Sequence, residues 1–305
     1  MTAPASPTVR RRRLAAELRE IREDRGKSGD AVATALRWSA SKISRYERAR
    51  TGLRPQEVAR LLDYYQITGP RRELLLGLAE DAARKGWWEE FSESLSEDYK
   101  QFIGFEHEAA SMAIWHVDVV TGLLQTEAYA RHIICSYSRV EPMPPGMIGR
   151  MVGVRMRRQQ VLDRDDLRLS VVLDESVLKR RIGDEALMYE QLQRLVRDGD
   201  RPNLTLQILP LGGQHTVFGE SFVIFGFRDD ADLAADDDGE APQRDVVITE
   251  QLRSSVTLEG ERETYLHRIA LQTLSDAALS PAESRALILD TAQSYWSGTW
   301  SRASA

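Results

Sequence analysis

Cysteine occurs once in the 305 residues, as Cys135, which excludes an internal disulfide framework and fits a reducing cytoplasm. Long apolar runs are also missing. None approaches the roughly 20 residues of a bilayer span, so no membrane is expected as a partner. The arginines of MTAPASPTVRRRR are not followed by an apolar segment, which argues against a secretory signal. Walker A and Rossmann glycine patterns are absent. So are a nucleophile elbow around Ser221, a CxxC near Cys135, and any H-E-x-x-H or H-x-x-x-H spacing. The expectation is a protein without cofactor or metal, and not an enzyme.

Charge is present but unevenly placed. Residues 1–86 hold 19 Lys+Arg against 11 Asp+Glu, a surplus of +8, and the remainder holds 22 against 36, or −14. The whole-chain charge of −6 hides this split. A basic head on an acidic body points to a polyanion partner at the head alone.

Within the head, Ser28–Arg50 reads as two short helices joined by a tight turn. Val32, Ala33 and Leu36 form the inner face of the first, and Ile43 and Tyr46 that of the second. Ser39 is placed to cap the second helix. With Ile43 and Tyr46 inward, a 100° step puts Ser41, Ser44, Arg45 and Arg48 on the opposite side. Short hydroxyls and arginines on an outer face suit the major groove of double-stranded DNA, where Arg pairs bidentately with guanine. An ordinary helical hairpin with a solvated face is the plain alternative.

Around this stretch, Leu14, Leu18 and Ile21 predict a first helix over 13–25, ended by Gly26. Residues 1–9 are read as disordered. Arg10, Arg11, Arg12 and Arg13 stand directly before that helix, able to follow phosphates or enter a minor groove, or simply to be solvated. Pro55 and Pro70 open a fourth and a fifth helix.

From Gly86 the character changes, and the domain boundary is placed at 86/87. Trp87, Trp88, Phe102, Phe105 and Trp115 crowd into 30 residues, as a ligand pocket or as packing against the head. FEHEAASMAIWHVD holds Glu106, His107, Glu108, His116 and Asp118 and reads as a polar helix face. Thr126 or Thr121 caps a helix to about Ser136, and 147–164 form a basic helix with Met147, Met151, Val154 and Val161 inward. Its Arg155, Arg157, Arg158 and Arg164 lie mostly outside, giving a second DNA contact or pairing with the body's carboxylates. Strands are read at 167–176, 204–210, 221–227, 245–250 and 254–259, helices at 184–198, 260–276 and 281–295. The acidic loop 229–244 is expected to be mobile. The fold class is α+β: an all-α head of five helices over 1–86, then a mixed α+β body over 87–305 with one mixed or antiparallel sheet.

The segment SASKISRYE, with Ala33, Ile43, Tyr46 and Gly26, resembles the lambda-repressor-like (Xre-type) helix-turn-helix family over roughly 10–85. That resemblance implies a five-helix DNA-binding head. The recognition helix at 39–50 then lies in the major groove, with Ser39, Ala40, Ser41 and Arg45 at base edges and Lys42 near the backbone. Ser28, Ser44 and Arg48 join the contact set. It also implies an ion pair between Arg22 and Glu47. The family's turn glycine is Arg37 here, and its common glutamine at the start of helix 2 is Gly29. Further on, GWW, FEHEAA, GLLQTEAYAR and RMRRQQVLDR resemble a domain of unknown function carried by antitoxin-like transcriptional regulators, spanning about 86–290. The expected protein is a sequence-specific, homodimeric, cytoplasmic (nucleoid-associated) regulator. Its body would sense a ligand or bind a small partner protein encoded nearby. A body acting as an antitoxin-like interaction module, or as an enzyme targeted by the head, are the alternatives.

Overall fold

The structure, a computed structural model, describes residues 7–49, 51–84, 86–213, 220–227, 245–250 and 255–297. The acidic stretch 229–244, residues 1–6 and Arg50 lie outside the described residues, and with them the readings made of those segments. The chain divides into two compact units, Met1–Ser92 with Tyr99–Glu108 and Glu93–Asp98 with Ala109–Ala305.

The first unit is all helical. Proline carries no amide to leave unsatisfied in a first helical turn, and α1 runs from Pro7 to Asp24. This corrects the expected start at 13: residues 7–9 belong to the helix, and Arg10–Arg13 are helical rather than an arm ahead of it. Leu14, Leu18 and Ile21 are its buried stripe. The helix ends at Gly26, whose φ of 61° is free of penalty for glycine and lets the Lys27 amide reach back to the Arg22 carbonyl at 3.0 Å. Then follow α2 (Gly29–Leu36), α3 (Ala40–Glu47), α4 (Pro55–Tyr64) and α5 (Gly69–Ala83). A 3-10 segment at Trp87–Ser94 leads into α6 (Glu97–Glu108).

The second unit is built on one sheet. In chain order come β1 (Ser111–His116), α7 (Glu127–Tyr137), α8 (Pro145–Arg158), β2 (Arg168–Asp174), α9 (Ser176–Lys179), α10 (Glu185–Asp198), β3 (Leu204–Leu209), β4 (Phe222–Gly226), β5 (Val246–Glu250), β6 (Ser255–Leu258), α11 (Glu261–Ala277) and α12 (Pro281–Trp296). The strand order is β3-β2-β1-β4-β5-β6. β1 pairs parallel with β2, and β2 with β3, whereas β4, β5 and β6 continue antiparallel, so the sheet is mixed. The central strand β1 falls inside the run read as a polar helix face. That run breaks after Glu108, so Glu106, His107 and Glu108 end a helix while His116 ends a strand. Strand β1 escapes a period-two reading because Ile114, Trp115 and His116 are all buried, as expected for a strand covered on both faces.

One face of the sheet, with Trp115, Val172, Leu209, Phe222, Ile224 and Val247, packs against Leu274 of α11. At the other end of the chain, Ser280 and Glu283 form a capping box for α12, and the Trp296 indole donates to the Leu178 carbonyl at 2.9 Å.

The turn GLLQT is held by amide side chains from three directions. Gln125 donates to the Val120 carbonyl at 2.6 Å, Gln159 to the carbonyls of Gly122 and Gln125 at 2.9 and 2.7 Å, and Gln191 to that of Leu124 at 2.7 Å. Thr126 returns the favour, its amide donating to Gln191 at 2.7 Å while its hydroxyl caps α7. Arg155 closes the set, its Nη1 donating to the side-chain oxygen Oε1 of Gln125 at 2.9 Å. Arg158 is 6 % exposed. This corrects the expectation that α8's arginines lie mostly outside: Arg155 and Arg157 are half-buried and Arg158 is buried, with Arg155 spent on the side chain of Gln125, whose own amide holds the turn. Met147 and Met151 are half-buried, and Val152 joins Val154 as the inner face.

Candidate nucleic-acid interface

The geometry of α3 is fixed from its two ends. Helix α2 begins at Ser28, whose hydroxyl accepts from the Ala31 amide at 3.2 Å. It buries Val32, Ala33 and Leu36 and stops at Arg37. Arg37 stands at φ 55°, ψ 43°, the left-handed conformation that an L side chain holds at a cost of roughly 1 kcal/mol. The exposed C-terminus of α2 is satisfied in part by Arg60, which donates to the Leu36 carbonyl at 2.9 Å. Two residues later Ser39 caps α3, accepting from the Lys42 amide at 3.2 Å, with its hydroxyl 3.1 Å from that of Ser41.

Only Ile43 of α3 is fully buried. Ser39, Ala40, Ser41, Arg45 and Arg48 are exposed, Ser44 is half-buried, and Ser28 is exposed at the start of α2. Ser41, Arg45 and Arg48 follow one another at i, i+4, i+7 and therefore share a face. Among the described residues, no hydrogen bond or ion pair engages the guanidinium of Arg37, Arg45 or Arg48. Arg37 was read in the sequence only as a departure from a turn glycine. A left-handed cap directly before the outward helix is necessarily at the surface, and that signal could have added it to the set.

Two ion pairs clamp the helix. Arg22 of α1 grips Glu47 with both arms, Nε to Oε1 at 2.6 Å and Nη2 to Oε2 at 3.0 Å, and its remaining nitrogen donates to the Lys27 carbonyl at 2.8 Å. The hydrogen bond to Glu47 raises the Arg22 pKa. Both side chains are largely covered, at 13 % and 19 % exposure. At the other side, Lys42 Nζ lies 2.5 Å from Glu57 Oε1 of α4 and 4.3 Å from the centre of the Trp38 ring. Glu57 also accepts from the Tyr46 hydroxyl at 3.3 Å and the Arg54 amide at 3.0 Å. Burial opposes the charge on Glu57, but Lys42 and the Arg54 amide outweigh it and hold the carboxyl below its ordinary value. Lys42, placed by resemblance near the DNA backbone, thus points its ammonium into the unit.

The other residues singled out in the sequence are dispersed. Arg10 lies 3.6 Å from Glu108, and Arg12 stacks 5.1 Å from the Phe105 ring centre. The Arg11 stem passes over Gly52, where a Cβ would come within 3.1 Å of its Nε. All four arginines of the run are half-buried. The aromatic set does not form a pocket wall. Trp88 and Phe105, each 1 % exposed, are packed within the first unit, with half-buried Trp87 edge-on to Trp88, whereas Trp115, 2 % exposed, sits in the core of the second. In the second unit, Asp174 accepts from the Ser176 amide at 2.9 Å, and Glu175 holds Lys179 at 2.5 Å. Among the described residues no group of His, Cys, Asp or Glu has a metal-binding arrangement. No described helix is long and apolar enough to cross a membrane.

Comparison with known proteins agrees with the geometry of both units. Residues 13–75 match the family described as a helix-turn-helix domain. Residues 99–290, well over half of the chain, match the family described as Domain of unknown function (DUF5753), and the chain belongs to that family. No curated protein and no solved structure matches it.

Proposed function

We propose that this DUF5753 protein is a sequence-specific, homodimeric transcriptional regulator of the lambda-repressor-like (Xre) kind. Its α3 lies in the major groove. Ser39, Ala40, Ser41 and Arg45 meet base edges, while Ser28, Ser44, Arg48 and Arg37 lie along phosphates. The observation that carries this reading is the contrast on a single short helix. Its Glu47 and Lys42 are locked inward by ion pairs, whereas its Ser41 and Arg45, with Arg48 at its C-cap, stand outward, and among the described residues nothing neutralises the two guanidinium groups. Lys42 is then a positioning residue, setting the tilt of α3 through Glu57. The second unit carries the regulatory role by binding a ligand or a small partner protein, in the manner of antitoxin-like regulators. No chemical step is assigned to it. Activity of this kind belongs to the cytoplasm, at the nucleoid.

The test is selection of binding sites from a random duplex library with the full chain, followed by affinity measurements at two salt concentrations. Arg45→Ala is expected to weaken the selected site by roughly 1–3 kcal/mol and to relax preference at one base position. Arg48→Ala is expected to weaken all sequences alike and to lower the salt dependence by about one phosphate contact. Retention of affinity and base preference in Arg45→Ala overturns the assignment of that face.

A further inference from the structure

The last long helix before the chain's final element presents two unlike faces. Toward the sheet, α11 buries Thr264 and Leu274 and half-buries Ala270, Leu271 and Ala277. On the opposite side it exposes Tyr265 at 60 %, Leu266 at 55 % and Ile269 at 49 %. At 100° per residue, Arg262, Leu266, Ile269, Thr273 and Asp276 fall within an arc of about 80°, and Tyr265 borders it. The apolar residues cannot be turned inward without lifting Leu274 out of the sheet's core. Three large apolar side chains on one helical stripe are more than the scattered exposure that a surface ordinarily shows.

The stripe is symmetric in charge. Ile269 lies at its midpoint, with Arg262 seven residues before and Asp276 seven residues after it. Arg262 is exposed, and among the described residues nothing pairs with it. Asp276 is exposed and accepts from Gln272 at 2.6 Å through one oxygen, which leaves the other available. Two copies of α11 laid antiparallel about a two-fold axis at Ile269 bring Arg262 of each against the partner's Asp276. Tyr265 and Leu266 then face the partner's Thr273 and Gln272. An isologous contact demands this kind of self-complementarity, in which the same patch supplies both halves of every pair.

We propose that the outer stripe of α11 is the surface on which two copies of this chain associate. The proposal rests on the homodimer reading above and names its interface. A single pair of helices about 25 Å long covers less than the ~1,200 Å² of a standard stable interface. The dimer is therefore expected to dissociate on dilution and to be reinforced when two heads occupy one operator.

The test is sedimentation equilibrium of the full chain across a wide concentration range, with circular dichroism to verify the fold of each variant. The wild-type chain should be dimeric at the upper end, and Ile269→Glu should be monomeric there. Arg262→Glu and Asp276→Arg should each weaken association about tenfold or more, because like charges then face each other. The combination of both should restore it. A wild-type dimer that survives Ile269→Glu removes α11 from the interface while leaving the homodimer reading intact. A wild-type chain that stays monomeric throughout removes both. Loss of the dimer in Ile269→Glu without rescue by the charge swap overturns the antiparallel pairing. If instead the chain forms a one-to-one complex with a purified small protein, lost in Ile269→Glu, the face belongs to that partner and the proposal falls.

Discussion

Helices α3 and α8 both carry arginines at their C-terminal ends and place them in opposite surroundings. In α3, Arg45 and Arg48 are exposed, and among the described residues nothing pairs with them. In α8, Arg155 spends a donor on Gln125 and Arg158 is 6 % exposed. The difference lies in what faces each helix. Around α3 the inward carboxylates Glu47 and Glu57 are already taken by Arg22 and Lys42, and among the described residues no other acceptor pairs with its arginines. Around α8 stands an irregular turn, GLLQT, whose Gln125 offers its side-chain oxygen to Arg155. The same side chain stands without a partner among the described residues in one unit and serves as a structural strut in the other. Arginine density alone does not separate the two; the supply of unsatisfied acceptors within reach does.

The comparison can be broken at either helix. The largest expected effect is at the clamp. Glu47→Ala leaves the largely covered Arg22 guanidinium without its bidentate partner and should cost the first unit about 2 kcal/mol. For a unit of this size that is a fall of roughly 10 °C in its melting transition, measured by calorimetry on the full chain. An unchanged transition would show that the pair is incidental. Next is Arg155→Ala, which strips one donor from the GLLQT turn. The second unit should lose about 1 kcal/mol while affinity for DNA stays within error. A loss of DNA affinity with no loss of stability would reverse the roles given to α8. The smallest effect is in pH. Glu57 has a folded pKa below its ordinary value, so its contribution is fully present above about pH 4.3 and disappears as pH falls through the lowered value. The first unit of the wild type should therefore lose stability more steeply between pH 5 and pH 3 than Glu57→Gln does, by under about 1 kcal/mol. Parallel pH profiles would contradict the lowered value.

Sequence periodicity revealed most of the elements because their signals are local. Ser39 as a cap, Gly26 as the stop of the first helix, and Pro55 and Pro70 inside first turns all depend on residues within four positions of one another. What stayed hidden depends on distant partners. Strand β1 ends in three consecutive buried residues, Ile114, Trp115 and His116, so its alternation does not last its length. The inward turn of Lys42 depends on an acceptor fifteen residues away, Glu57, and the half-burial of Arg155 on Gln125, thirty residues before it. The early start of α1 had no apolar stripe to announce it, since 7–9 hold Pro-Thr-Val ahead of four arginines. At the candidate site, the exposed face of α3 could be read from spacing, and Arg22 opposite Glu47 only from resemblance.

The position of β1 between β2 and β4 has a consequence for the order of events during synthesis. The first unit has all its residues once Glu108 leaves the ribosome. Strand β1 follows at once, yet its parallel neighbour β2 begins at Arg168 and its antiparallel neighbour β4 only at Phe222. At roughly 5–20 residues per second, β4 arrives on the order of ten seconds after β1. For that interval the nascent chain carries a finished helical head and an open sheet centre whose Met112, Ile114 and Trp115 still lack one side of their cover. The helical unit is complete before the sheet that follows it has its full set of strands.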